Sequence, residues 1–122
     1  MHEYAIGRNL VRAILSELDK LGPPAPKILK ARVVVGKLRQ VVPEILTSAY
    51  ESLSRGTRLE GSKIEIIPAP IKVKCQECGW TGEIEDFRFQ CRMCSSGDLQ
   101  LLGGKELYLE NLTVEKDEES GG

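Results

Sequence analysis

Four cysteines in two tight pairs set the terms on which this chain can fold. They read Cys75-Gln76-Glu77-Cys78-Gly79 and Cys91-Arg92-Met93-Cys94-Ser95, two Cys-x2-Cys knuckles separated by twelve residues. Two residues between thiolates let both sulfurs reach one ion from a tight turn, and four thiolates close a tetrahedron around a single zinc ion. Such a site keeps no open coordination position, so it holds shape. Binding the ion also drives folding of a segment too small to build a core, here residues 74–97. An iron–thiolate centre uses the same four sulfurs and stays open at this point. A redox dithiol needs only one pair, on a strand-to-helix turn, whereas here two pairs lie among strand-forming residues.

A disulfide framework requires export. Met1-His2-Glu3-Tyr4 lacks the basic and then apolar segment of a secretory signal. No apolar run approaches the roughly 18 residues that span a bilayer, so the expectation is a cytoplasmic chain without a membrane partner. The one histidine is His2, which excludes any site built on two imidazoles.

The net charge of −1 hides an asymmetry. Residues 1–74 carry 13 basic and 7 acidic side chains, and residues 75–122 carry 4 and 11. A zinc-ribbon adaptor binding nucleic acid or protein is the rival functional reading. Within 75–97, however, Glu77, Glu83, Glu85 and Asp86 stand against Arg88 and Arg92, the wrong balance for phosphate contact. No nucleic-acid partner is expected. Gly103-Gly104-Lys105 is followed by glutamate, so it is no phosphate loop, and no catalytic constellation appears.

Apolar residues at three- and four-residue steps (Ile6, Leu10, Ala13, Ile14, Leu18, Leu21) predict a first helix ending at Gly22-Pro23-Pro24. Ile28 to Gly36, with Val33-Val34-Val35, predicts a buried strand. Pro43 and Glu44 open a second helix with Ile45, Leu46, Ala49, Tyr50 and Leu53 on its apolar face. Ile64 to Ile67 forms a strand closed by Pro68. After the cysteines, Leu99–Leu102 and Leu107–Val114 are strand segments around Gly103-Gly104. Trp80, Ile84, Phe87 and Phe89 are expected to form a local core beside the metal. The parts flanking the cysteines are expected to share one small mixed sheet. This is an α+β fold: a two-helix domain over 1–73 and 98–116, an inserted zinc-ribbon-like domain with the four cysteines over 74–97, and a disordered tail over 117–122.

His2 offers a second kind of metal site. Its imidazole, the Met1 amine and the backbone nitrogens of His2 and Glu3 supply up to four nitrogens in one plane. Such a set favours Ni(II) or Cu(II) over Zn(II). The Glu3 carboxylate adds an oxygen or orients the imidazole. On spacing alone, a terminal histidine is more often a solvated residue.

Met1-His2-Glu3-Tyr4 opening a helix, together with the cysteine module, resembles the HypA family of nickel metallochaperones for nickel–iron hydrogenase maturation. Val33-Val34-Val35-Gly36 with Val42-Pro43, then Gly56-Thr57 with Glu60-Gly61-Ser62-Lys63-Ile64, and Gly104-Lys105-Glu106-Leu107 continue the resemblance to about residue 110. It implies a nickel carrier and not an enzyme. Met1, His2 and Glu3 would form the site for transient Ni(II), and Cys75, Cys78, Cys91 and Cys94 would hold structural Zn(II). The implied partners are a nickel-inserting GTPase of the HypB type and the hydrogenase large subunit; some members also serve urease. A monomer or homodimer is expected. One departure stands out: the second knuckle has Ser95 where relatives carry glycine, with Gly97 later, which predicts a looser turn. Glu44 lies near the place of an acidic residue that joins the nickel site in some members.

Overall fold

The computed structural model describes residues 2–23 and 26–115. Met1, Pro24 and the tail expected over 117–122 lie outside the described residues. The chain has two helices, α1 (Glu3–Leu21) and α2 (Pro43–Ser54). Its strands are β1 (Ile28–Gly36), β2 (Lys63–Ala69), β3 (Ile71–Cys75), β4 (Thr81–Ile84), β5 (Leu99–Gly103) and β6 (Leu107–Val114). They form two three-stranded sheets, ordered β2-β1-β6 and β4-β3-β5. The architecture is α+β, as the sequence predicts.

Sheet membership differs from the expectation in one respect. Only β6 joins the sheet of β1, while β5 pairs antiparallel with β3, setting Cys75 opposite Leu99 and Val73 opposite Leu101. Apolar alternation marks a strand without naming its neighbour, so the two segments read alike in the sequence. Strand β2 also runs through Pro68. This is tolerated because β2 lies at a sheet edge, where a missing N–H breaks no ladder bond.

By packing, the chain divides into two units. One holds the chain before Val34, Val41–Ile66 and the chain from Tyr108; the other holds Val34–Gln40 and Ile67–Leu107.

In the first unit, α1 buries Ile6, Gly7, Leu10, Val11, Ile14 and Leu18, and α2 buries Leu46, Ala49 and Tyr50. Ala13 and Leu21, expected on the apolar face, are exposed. The buried stripe is turned one position toward Gly7 and Val11, and Gly7 is the reason. A methyl group there would meet Leu53 Cδ1 at 3.3 Å and Ala49 Cβ at 3.4 Å, so the missing side chain lets the helices approach closely. The buried Tyr50 hydroxyl lies 2.6 Å from Ser62 Oγ. Ser62 directs its own proton to the Leu59 carbonyl at 2.6 Å, which leaves Tyr50 as the donor.

In the second unit, Ile71, Val73 and Ile84 form a small core with Leu38, Trp80 and Leu99 against it. A backbone clasp closes this unit. Gly36 N–H donates to the Glu106 carbonyl at 2.7 Å, and Leu38 N–H to the Gly104 carbonyl at 2.9 Å. Arg39 Nε donates to the Lys105 carbonyl at 2.8 Å, and the Glu106 carboxylate accepts the Gly104 N–H at 2.8 Å. The two backbones approach so closely that a Cβ on Gly36 would overlap the Gly104 carbonyl.

Gly36 has φ −65°, which alanine adopts without strain. Gly36→Ala therefore isolates the steric clash with backbone. It is expected to destabilise the protein by about 3 kcal/mol or more in urea unfolding. Gly61→Ala, at φ +86° with open space around it, is expected to cost only about 1 kcal/mol of left-handed strain. Equal losses for the two variants would mean that the clasp does not constrain the fold.

Candidate metal centre

Two knuckles of matching geometry carry the cysteines. The first follows β3: Gly79 N–H donates to the Cys75 carbonyl at 3.0 Å, with Gly79 at φ +81°. In the second, Ser95 N–H donates to the Cys91 carbonyl at 2.9 Å, with Ser95 at φ +66°. The expected looseness of the second turn is therefore not what the structure shows. Serine adopts the left-handed conformation at the position glycine holds in the first knuckle, and the turn closes to the same bond length within 0.1 Å.

The two knuckles bring all four sulfurs within 4.8 Å of one another. Cys75 and Cys94 lie 3.6 Å apart, and Cys78 and Cys91 3.5 Å apart. Zinc–sulfur bonds of about 2.3 Å place the sulfurs of a regular tetrahedron about 3.8 Å apart, so the set fits a thiolate-bound zinc ion. Cys75 and Cys91 are buried, while Cys78 and Cys94 face solvent.

The surroundings of the sulfurs differ. Burial pushes the Cys91 thiol up, but the amides of Cys94 and Met93, which donate to its sulfur at 3.4 and 3.3 Å, bring it down to about 6. At Cys94, the Ser96 amide lowers the value, but desolvation and the neighbouring sulfurs push it up to about 12. At Cys94 the neighbouring sulfurs oppose ionisation; a divalent ion would supply the charge that offsets this.

The aromatic residues divide. Trp80 packs on the small core, and its ring lies where a Cβ on Gly82 would be. Phe87 and Phe89 are not core: they are 49% and 45% exposed and meet each other with ring centroids 6.5 Å apart. Asp86 and Phe87 both have positive φ, at the turn that leads into this exposed stretch.

The other site residues lie at the start of α1. His2 is exposed and occupies the N-cap position of the helix. The first turn is closed by Ile6 N–H donating to the His2 carbonyl at 2.9 Å, so the amides ahead of Ile6 lie outside the helical ladder. Glu3 is buried, and its Oε2 accepts the Val42 N–H at 2.9 Å. Hydrogen bonding to the positively charged chain terminus, and then to the Val42 amide, holds its carboxyl at about 2. Glu44 sits exposed in the first turn of α2. Val42 itself was not legible as a site residue, because a backbone amide leaves no signature in the sequence. Met1 lies outside the described residues.

Fold and site together define a small α+β protein whose four cysteines converge on one candidate metal centre. The family described as hydrogenase/urease nickel incorporation, metallochaperone, HypA matches residues 1–114, and the chain belongs to it. This is a family of metallochaperones, not enzymes. Among similar proteins, the hydrogenase maturation factor HypA of Methanocaldococcus jannaschii is 35% identical, covering 97% of this chain and 100% of its own. That of Nitrosospira multiformis is 36% identical, covering 93% and 97%. The solution structure of the nickel metallochaperone HypA from Helicobacter pylori has the same fold, with a TM-score of 0.66 and 21% identity over 93% of this chain and 97% of that one.

Ser95→Gly removes left-handed strain of about 1 kcal/mol from the second knuckle. It is expected to hold zinc several-fold more tightly in competition with a chromogenic chelator. Unchanged or weaker binding would mean that Ser95 is unstrained at this turn.

Proposed function

We propose that this chain is a nickel metallochaperone that takes Ni(II) at its N-terminus and delivers it during nickel–iron hydrogenase maturation. The observation that carries the reading is His2: an exposed imidazole at the N-cap of α1, beside amides outside the helical ladder, in a chain matching the family from residue 1. The His2 imidazole joins backbone nitrogens of Met1, His2 and Glu3 in a planar set that suits Ni(II). Sites at a chain end leave room for a recipient to enter and compete for the ion.

Cys75, Cys78, Cys91 and Cys94 hold Zn(II) as a structural ion. When bound, zinc supplies the positive charge and tetrahedral geometry that close the two knuckles. The partners on this reading are a GTPase of the HypB type, which supplies the nucleotide hydrolysis this chain has no phosphate loop for, and the hydrogenase large subunit. The setting is the cytoplasm, where thiols stay reduced. Among the described residues, no helix is long and apolar enough to cross a membrane.

Protein purified with its native N-terminus is expected to contain one zinc and to take up one further nickel. His2→Ala is expected to lower nickel affinity at least 100-fold and leave zinc content unchanged. A tag fused ahead of Met1 should also weaken nickel binding. Nickel binding indifferent to His2→Ala would overturn the assignment.

Stripping zinc with a strong chelator tests the second centre. It is expected to expose four reactive thiols and to shift the emission of Trp80, while the circular dichroism of α1 and α2 persists. Fewer than four thiols released with the metal would refute a four-cysteine site.

A further inference from the structure

Glu3 is the one carboxylate buried among the described residues, at 5% exposure. A buried carboxylate needs a partner that justifies its desolvation. One such partner is the Val42 N–H, 39 residues away, which donates to Oε2 at 2.9 Å. Val42 is the N-cap residue of α2, and its own side chain makes no capping bond to that helix. Valine is a poor N-cap, because it has no oxygen to offer the first turn. In a capping box, a Glu or Gln at the third helical position reaches back to the N-cap amide. In α2 that position is Ile45, which is exposed and cannot do so. Glu3 supplies the missing carboxylate from the other helix. Its negative charge also sits at the positive end of α2.

The geometry separates the tasks of neighbouring residues. Successive residues on a helix point about 100° apart. His2 faces solvent, and Glu3 faces the entrance of α2. Oε2 is held on the Val42 amide, and the carboxyl also hydrogen-bonds to the positively charged chain terminus, so it ties the chain end to the entrance of α2.

We infer that Glu3 is a positioning residue for the nickel site, its carboxylate docking the first turn of α1 onto the entrance of α2 and so fixing the chain end that carries His2. Its side chain is not a nickel ligand; its backbone nitrogen remains available to the planar set. This inference rests on the proposed N-terminal nickel site and deepens it.

Three variants separate anchor from ligand. Glu3→Gln keeps an oxygen that accepts the Val42 N–H. Glu3→Ala removes the acceptor. Val42→Pro removes the donor and leaves the carboxylate intact; Val42 has φ −86°, near the range proline adopts. Nickel titrations followed by the visible absorption of the bound ion are expected to give Glu3→Gln within about threefold of the unmodified protein. Glu3→Ala and Val42→Pro should both be weakened about tenfold, all with the same band position, because the ligand set is unchanged. A shifted band in Glu3→Gln and Glu3→Ala, or unaltered affinity in Val42→Pro, overturns the inference.

Hydrogen exchange of the Val42 amide in zinc-loaded, nickel-free protein reads the anchor without nickel. Slow exchange in the unmodified protein and in Glu3→Gln, with fast exchange in Glu3→Ala, supports it. Equal rates in all three overturn it. His2→Ala with undiminished nickel binding instead overturns the nickel assignment, and the amide exchange still decides whether the anchor exists.

Discussion

Four thiolates cannot stand within a few ångströms of one another unless a cation stands among them, and that repulsion governs the second unit. Its apolar core is three buried residues, Ile71, Val73 and Ile84, with Leu38, Trp80 and Leu99 partly covered. Burying such side chains contributes about 1.5–3 kcal/mol each, whereas ordering each backbone residue costs about 1–2 kcal/mol. Residues 85–98 add a second knuckle and two exposed phenylalanines, and Cys91 is their one buried side chain. The core alone cannot order them. What the sequence provides instead is amides aimed at sulfur: Met93 and Cys94 N–H on Cys91 Sγ, and the turn bonds that set each pair of cysteines at a fixed spread. Gln76 N–H donates to the Asp98 carbonyl at 2.9 Å, and an ion held by the four sulfurs would join the two turns directly.

The start of α1 is built on the opposite principle. Among the described residues, nothing there encloses a metal. The carboxylate nearest His2 is turned inward to the Val42 amide, and the imidazole is left outside. A buried carboxylate is costly unless its bonds are good, and an N-cap amide at the positive end of a helix is a good partner for it. The buried carboxylate and the exposed imidazole are therefore adjacent residues in opposite surroundings. Gly7 carries the same logic one turn further. By letting α1 close on Ala49 and Leu53, it keeps the helix seated where Glu3 meets α2.

The parts of this structure that were legible in the sequence are those encoded by near neighbours. Cys-x2-Cys is a local turn, and the helix starts and stops at Pro43 and Gly22 are local stereochemistry; all are found where the sequence puts them. What was hidden depends on residues far apart. Strand β5 reads like β6, and only tertiary packing assigns it to β3. Ala13 and Val11 flank the same apolar stripe, and the choice between them follows from a glycine whose value lies in an absent side chain. Ser95 breaks the glycine pattern yet adopts the glycine conformation, because the Cys91 carbonyl and the converging sulfurs over-determine the turn. Phe87 and Phe89, read as core, are exposed and lie at and beyond a turn with positive φ at Asp86 and Phe87.

A protein that hands on an ion has to satisfy two demands that one site cannot meet. Tight, closed coordination gives shape and retention; open coordination gives transfer. Four side-chain sulfurs in a tetrahedron leave no position for an incoming ligand, so any ion there exchanges only if the knuckles open. Nitrogens from a chain end and one imidazole leave faces of the ion uncovered. A recipient can then bind before the donor lets go, and the barrier to transfer falls below that of free dissociation. Such a site is useful only if the chain end does not wander, because a frayed terminus lowers affinity by the fraction of time it spends misplaced. On the proposed N-terminal nickel site, the Glu3 bond to Val42 would remove part of that loss without occupying a coordination position. Precision at an open site is then supplied by a residue that need not touch the ion.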